Sequence, residues 1–136
     1  MYIAVDFDGT IVDHVFPELG EPVPGAIEWI KKFREAGAIL ILWTVRCDGE
    51  RYGDVLTQAQ KYCEDNGIKF KFVNEGPQKW SDSNKVFADI YIDDAAYGCP
   101  LVENPRPKGR PYVDWSIVGP EVLAKIPPPA RSPFDF

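Results

Sequence analysis

Tyr2-Ile3-Ala4-Val5-Asp6-Phe7-Asp8-Gly9-Thr10 is the stretch that decides the fold. A short apolar run that stops at an acidic, glycine-containing turn reads as a β-strand with its carboxylates at the C-terminal end. Outward from it, a Pro/Gly-rich connection (Pro17, Gly20, Pro22, Pro24) leads to Ala26–Ala36, where Ile27, Ile30 and Phe33 recur at helical spacing and Gly37 can cap. Ile39-Leu40-Ile41-Leu42-Trp43 is continuously apolar, as a parallel strand covered on both faces should be, and it ends at Thr44. A second helix is expected over about 52–66, with Val55, Leu56, Ala59, Tyr62 and Cys63 on one face and Gly67 as its stop. A strand is expected over 70–73. The polar, turn-rich residues 74–84 then precede an apolar stretch over 86–92 that ends in Asp93-Asp94. Strand, helix, strand, helix, strand, strand predicts an α/β domain: a mostly parallel sheet with right-handed crossovers and helices on both faces, in three layers.

The chain has 136 residues, enough for one ordinary core and too few for two. At 45% hydrophobic, 13% aromatic and 26% charged, it has the composition of a globular protein rather than a disordered one. The net charge of −6 opposes polyanions, which argues against nucleic acid and anionic membrane as partners. No basic-then-apolar leader and no run of membrane-spanning length is present, so the expected address is the cytoplasm. Cys47, Cys63 and Cys99 are odd in number and widely spaced, which suggests neither a disulfide framework nor a zinc site.

After Gly98 the character changes, because nine of the 13 prolines fall there. Residues 1–98 read as a catalytic core and 99–136 as a tail wrapped on it or extending it, within a single domain. Tyr112, Val113, Trp115 and Ile117 are apolar enough to pack, and a short helix is expected over 120–125 with Pro120 in its first turn.

In open α/β sheets, ligands bind beyond the carboxyl ends of the strands. Here those ends present Asp6 and Asp8, Thr44, and Asp93 and Asp94, which should converge on one site. Crowded carboxylates call for a cation, and a hard divalent ion with oxygen ligands fits, Mg²⁺ first. A carboxylate can also attack phosphorus, which splits a difficult hydrolysis into two displacements. Asp6 is the candidate nucleophile. Asp8, two residues on, is placed to move the proton of the leaving oxygen and later of water. Gly9 lets the chain turn and brings backbone N–H groups to the phosphoryl oxygens, and the Thr44 hydroxyl can donate to one of them.

These residues resemble the motifs of the haloacid dehalogenase (HAD) superfamily: Asp6-Phe7-Asp8-Gly9-Thr10, a hydrophobic strand ending in Thr44, a lysine ahead of the last strand, and Ile92-Asp93-Asp94. The resemblance covers about residues 1–98 and implies a Rossmann-like fold with Mg²⁺-dependent phosphatase or phosphotransferase chemistry. It implies Asp6 as nucleophile and Asp8 as acid/base. It implies metal ligation by the Asp6 side chain, the Asp8 carbonyl and Asp93, supported by Asp94. Gly9, Thr10, Thr44 and a lysine would hold the phosphate. Lys79 and Lys85 both precede the final strand, and Lys85 is taken because it is nearer. Both segments in which the superfamily inserts a cap are short here, which implies a capless member. Its open site would admit a small phosphorylated substrate or the exposed phosphate of a larger one, unless the tail or a second subunit covers it.

Arg46, on the loop after Thr44, can reach a substrate phosphate or carboxylate, or can pair at the rim with Asp48 or Glu50. His14, the sole histidine, is read as an exposed loop residue outside the catalytic set. The leading expectation is a phosphohydrolase. The alternatives are a phosphotransferase, a noncatalytic binding module, and a receiver domain, whose order of acids, Thr and Lys this chain does not follow. The acidic charge disfavours a nuclease, and carboxyls two residues apart disfavour a glycosidase.

Overall fold

The computed structural model describes residues 1–128. Four strands form one parallel sheet in the order β3-β2-β1-β4: β1 (Tyr2–Val5), β2 (Ile39–Leu42), β3 (Phe72–Val73) and β4 (Ile90–Ile92). Helix α1 (Ala26–Glu35) connects β1 to β2, and α2 (Val55–Asp65) connects β2 to β3. This order, with β1 central and the chain winding outward to β3 before crossing to β4, is compatible with a Rossmann-like arrangement. Each of the two helices stops as its sequence anticipates, with Gly37 and Gly67 in the left-handed region at φ 104° and 77°.

Helices on both faces were expected, and the structure differs. The buried faces of α1 (Ile30, Phe33) and α2 (Ala59, Cys63) share one core with Ile3, Val5, Leu40 and Leu42. On the opposite face Ala4 and Ile41 pack under Val86 and Ala88. The crossover from β3 to β4 is therefore made by a non-helical chain, because Gly76, Pro77 and the Ser/Asp-rich residues 81–84 offer no helical stripe. The strand expected from residue 86 begins only at Ile90, and Val86 and Ala88 serve as cover instead.

The region after β4 forms a hairpin of β5 (Leu101–Val102) with β6 (Tyr112–Val113), followed by helix α3 (Trp115–Lys125). The expected short helix over 120–125 thus starts five residues earlier. Asp114 is its N-cap and accepts from the Ser116 N–H at 3.1 Å. Pro120 sits inside the helix rather than in its first turn. An interior proline costs about 3 kcal/mol, and burial of Trp115, Val118 and Val122 in the common core opposes that cost. Gly119 permits the close approach to α1, since a Cβ there would collide with the Trp29 ring. The remainder of the expected tail, residues 129–136, lies outside the described residues. Among those described, no helix is long and apolar enough to cross a membrane.

Candidate active site

Register in the sheet assembles the site. Val5 lies opposite Leu42 on one side and Ile92 on the other. The ladder runs one step further, with Asp6 N–H donating to Ile92 O and Trp43 N–H to Val5 O, each at 2.9 Å. The residues that follow β1 and β4 must therefore emerge together, and Asp6, Asp93 and Asp94 do: one carboxylate oxygen from each lies within 4.8 Å of the others. Such a set of hard oxygen donors is of the chemical type that a divalent cation takes.

The crowding has an electrostatic consequence. Burial first, then the Asp93 charge and a hydrogen bond shared with Asp94, push the Asp6 carboxyl from its ordinary 3.8 up to about 8. Asp94 is also raised, mainly by burial, although its hydrogen bond with Asp6 and the nearby Arg110 charge work against the rise. A bound cation would reverse this balance by favouring the ionised forms.

Gly9 turns with φ +82°, and a Cβ on it would collide with the Asp94 carboxylate. Thr10, expected to contact phosphate, is fully buried, and its hydroxyl faces inward. It donates to Asp6 Oδ2 at 3.2 Å and accepts from Asp94 N–H at 3.3 Å, tying the first acidic segment to the last. The Thr10 assignment is thereby corrected from phosphate contact to internal bridge.

Arg46 is the larger correction. It was expected at the substrate or in a rim pair with Asp48 or Glu50, yet it is 1% exposed and sandwiched between the Phe7 and Phe16 rings, 5.0 and 5.2 Å from their centroids. Its Nε and Nη2 donate to the two oxygens of Asp8 at 2.8 Å each. The remaining guanidinium donors serve the carbonyls of Pro17, Glu18 and Val55. No donor is left for a substrate. Asp8, in turn, stands apart from the three-carboxylate cluster as an oriented side chain, while still lining the same hollow as Asp6. Asp48 does different work: its carboxylate accepts from the Leu56 and Thr57 N–H groups and so caps α2.

Thr44 lies just past β2 with its hydroxyl oxygen accepting from Arg46 N–H at 3.1 Å, which leaves the hydroxyl proton to donate. Asn74, which sequence reading passed over, fixes this loop. It accepts from Thr44 N–H at 2.8 Å and donates to Arg46 O at 3.3 Å, from a backbone at φ +54° that asparagine tolerates. Its position directly after a strand is the only signal it offered.

Two hollows of about 260 and 270 Å³ share Asp6 and Asp93. Lys85, with Trp43 and Tyr91, lines the second, whereas the exposed Lys79 lines neither. His14 and Arg110 line the first, together with Asp8 and Asp94. A larger hollow of about 470 Å³ near Arg34, Lys69 and Lys71 lies at the other end of the sheet, away from the carboxylates.

The region after Gly98 holds the acidic turn in place. Val113 N–H donates to Gly9 O at 3.1 Å, and the indole N–H of the buried Trp115 donates to Thr10 O at 2.8 Å. Arg106 Nε binds Asp13 Oδ2 at 2.7 Å, and this pair, ahead of the Asn104 contact, holds the Asp13 carboxyl below its ordinary range.

Among solved structures, a conserved protein coded by a locus of Bacteroides thetaiotaomicron is similar at 37% identity, with a TM-score of 0.72, covering 92% of this chain and 91% of that one. No protein-family model and no curated protein matches the chain.

Proposed function

We propose, for a chain that belongs to the same family as the conserved Bacteroides thetaiotaomicron protein, the work of a Mg²⁺-dependent phosphohydrolase acting on a phosphate monoester. The observation that carries the reading is the convergence of Asp6, Asp93 and Asp94 beyond the carboxyl ends of β1 and β4, with Lys85 lining a hollow beside Asp6. The order of these residues in the chain, Asp6-Phe7-Asp8-Gly9-Thr10, Thr44, Lys85, Asp93-Asp94, resembles the HAD superfamily and supports the same chemistry. Both segments that would carry that superfamily's cap are short, so the proposal includes no cap domain.

Asp6, Asp93 and Asp94 would hold the cation, with the Asp8 carbonyl as a further ligand. When bound, Mg²⁺ supplies charge neutralisation for the carboxylates and for the phosphoryl oxygens. Asp6 attacks phosphorus and the bond to the leaving oxygen breaks, while that oxygen takes a proton from Asp8. Water then attacks the aspartyl phosphate and gives a proton back to Asp8. The bond between phosphorus and the Asp6 oxygen breaks, and inorganic phosphate leaves. The Thr44 hydroxyl and the Lys85 ammonium bind phosphoryl oxygens through both steps. Arg46 keeps Asp8 aimed.

Hydrolysis of p-nitrophenyl phosphate with and without Mg²⁺, alongside identically purified Asp6→Asn protein, tests the reading. Turnover that needs Mg²⁺ and vanishes in the variant is expected. Turnover that survives Asp6→Asn would remove Asp6 as nucleophile.

A further inference from the structure

We infer that Arg110 and His14 form a second anion-binding subsite at the mouth of the cleft, selecting phosphate esters whose leaving group carries another anionic group. The inference rests on the phosphohydrolase reading for the place of the ester phosphate. Both residues line the hollow that contains Asp6, Asp93 and Asp94. Arg110 Nη1 lies 3.1 Å from His14 Nδ1, so the two side chains present one cationic and hydrogen-bonding edge.

The pair is built in from behind. Asn104 Nδ2 donates both to Arg110 O at 3.0 Å and to Asp13 Oδ1 at 2.8 Å, which joins the Arg110 backbone to the residue before His14 through a single amide. Gly109 is needed for that contact, since a Cβ there would lie 2.5 Å from the Asn104 side chain. The Arg106 to Asp13 ion pair fixes the same corner.

Charge explains why this edge should meet substrate. Arg46, which pairs with Asp8 of the same hollow, spends every donor on Asp8 and backbone carbonyls, and Arg106 pairs with Asp13. Arg110 forms no salt bridge among the described residues, and its Nε and Nη2 make no hydrogen bond among them. A planar guanidinium with free donors matches a carboxylate or phosphate in two-point geometry. Phe16 and the 95%-exposed Val45 line the same hollow and offer an apolar wall to the body of the leaving group.

The test compares kcat/KM, in excess Mg²⁺, for phenyl phosphate, para-carboxyphenyl phosphate, para-(phosphonomethyl)phenyl phosphate and para-(aminomethyl)phenyl phosphate. The anion-bearing esters should lead phenyl phosphate by about tenfold to a hundredfold, the range of one charge-assisted contact, and the cationic ester should trail. The better of the two leading esters identifies the anion. Arg110→Gln should bring these ratios to within about twofold of unity, and His14→Gln should reduce them in part. A loss in Arg110→Gln shared equally by all four esters would mean that Arg110 only offsets the Asp94 charge, and would overturn the subsite. So would equal rates in the wild type. If the wild type hydrolyses none of the four, the phosphohydrolase reading falls, and calorimetric affinities for the same esters decide the subsite. An anion preference lost in Arg110→Gln upholds it, and equal or absent binding overturns it.

Discussion

Arg46 and Asp8 are joined by two hydrogen bonds of 2.8 Å, one from Nε and one from Nη2, inside a pocket closed by Phe7 and Phe16. The pair links the loop after β2 to the turn after β1, so the geometry of the proposed acid/base depends on a residue that touches no substrate. Arg46→Lys keeps a charge but cannot reproduce the fork. A drop in kcat of about ten- to a hundredfold with little change in KM is expected. Arg46→Ala strands a buried carboxylate, and removal of one partner of a buried pair costs about 3–5 kcal/mol. Steady-state kinetics of Arg46→Lys and denaturant melts of Arg46→Ala measure the two effects. A rise in KM alone would return Arg46 to the substrate-binding role.

Trp115 is 1% exposed, fills the space beside Phe33, and holds Thr10 through its indole N–H. Trp115→Ala should destabilise the protein by about 3–5 kcal/mol. Trp115→Phe retains most of the packing and gives up one hydrogen bond, for about 1 kcal/mol. Urea unfolding of the two variants separates burial from hydrogen bonding. Equal losses would mean that the bond to Thr10 dominates.

Much of this arrangement is legible in the sequence. The apolar runs of β1 and β2 and the stripes of α1 and α2 are local signals, and parallel register then forces Asp6, Thr44 and Asp93 to one end of the sheet. What escaped depends on contacts distant in sequence. Arg46 meets Asp8 across 38 positions, and no local pattern distinguishes that pairing from a rim pair with Asp48. Arg110 meets His14 across 96 positions, from a proline-rich region whose periodicity is uninformative. The start of α3 escaped because a proline was read as a first-turn residue, while burial of Trp115 extended the helix through it. The missing helix on the second face was visible only as an absence of helical pattern over 74–84.

Gly9→Ala tests how tightly the acidic turn is packed. At φ +82° an added Cβ costs about 1–2 kcal/mol in the backbone alone, and it also meets the Asp94 carboxylate. The variant should fold with reduced stability and lose most of its Mg²⁺-dependent activity, because Asp94 must move. Thermal melts with and without Mg²⁺ provide a second reading: the stabilisation by Mg²⁺ should shrink. A full Mg²⁺ response in Gly9→Ala would show that Asp94 is not needed to hold the cation.

Asp6 links the charge of the site to the stability of the fold. Its carboxyl sits at about 8 in the metal-free protein against an ordinary 3.8, chiefly through burial. Between about pH 4 and about pH 8 the unfolded chain has released this proton and the folded chain retains it, so stability falls with rising pH across that window. Above about pH 8 both states are ionised and the loss is complete. Asp6→Asn carries no such proton, so metal-free Asp6→Asn should gain in Tm over the wild type as pH rises from about 5 to about 8. Mg²⁺ favours the ionised carboxylate and should restore the wild type most strongly at the upper end of that range, with a smaller effect on Asp6→Asn. Differential scanning calorimetry across the pH series, with and without Mg²⁺, measures both trends. Parallel Tm curves for the two proteins would mean that the three carboxylates are solvated separately and do not act as one crowded group.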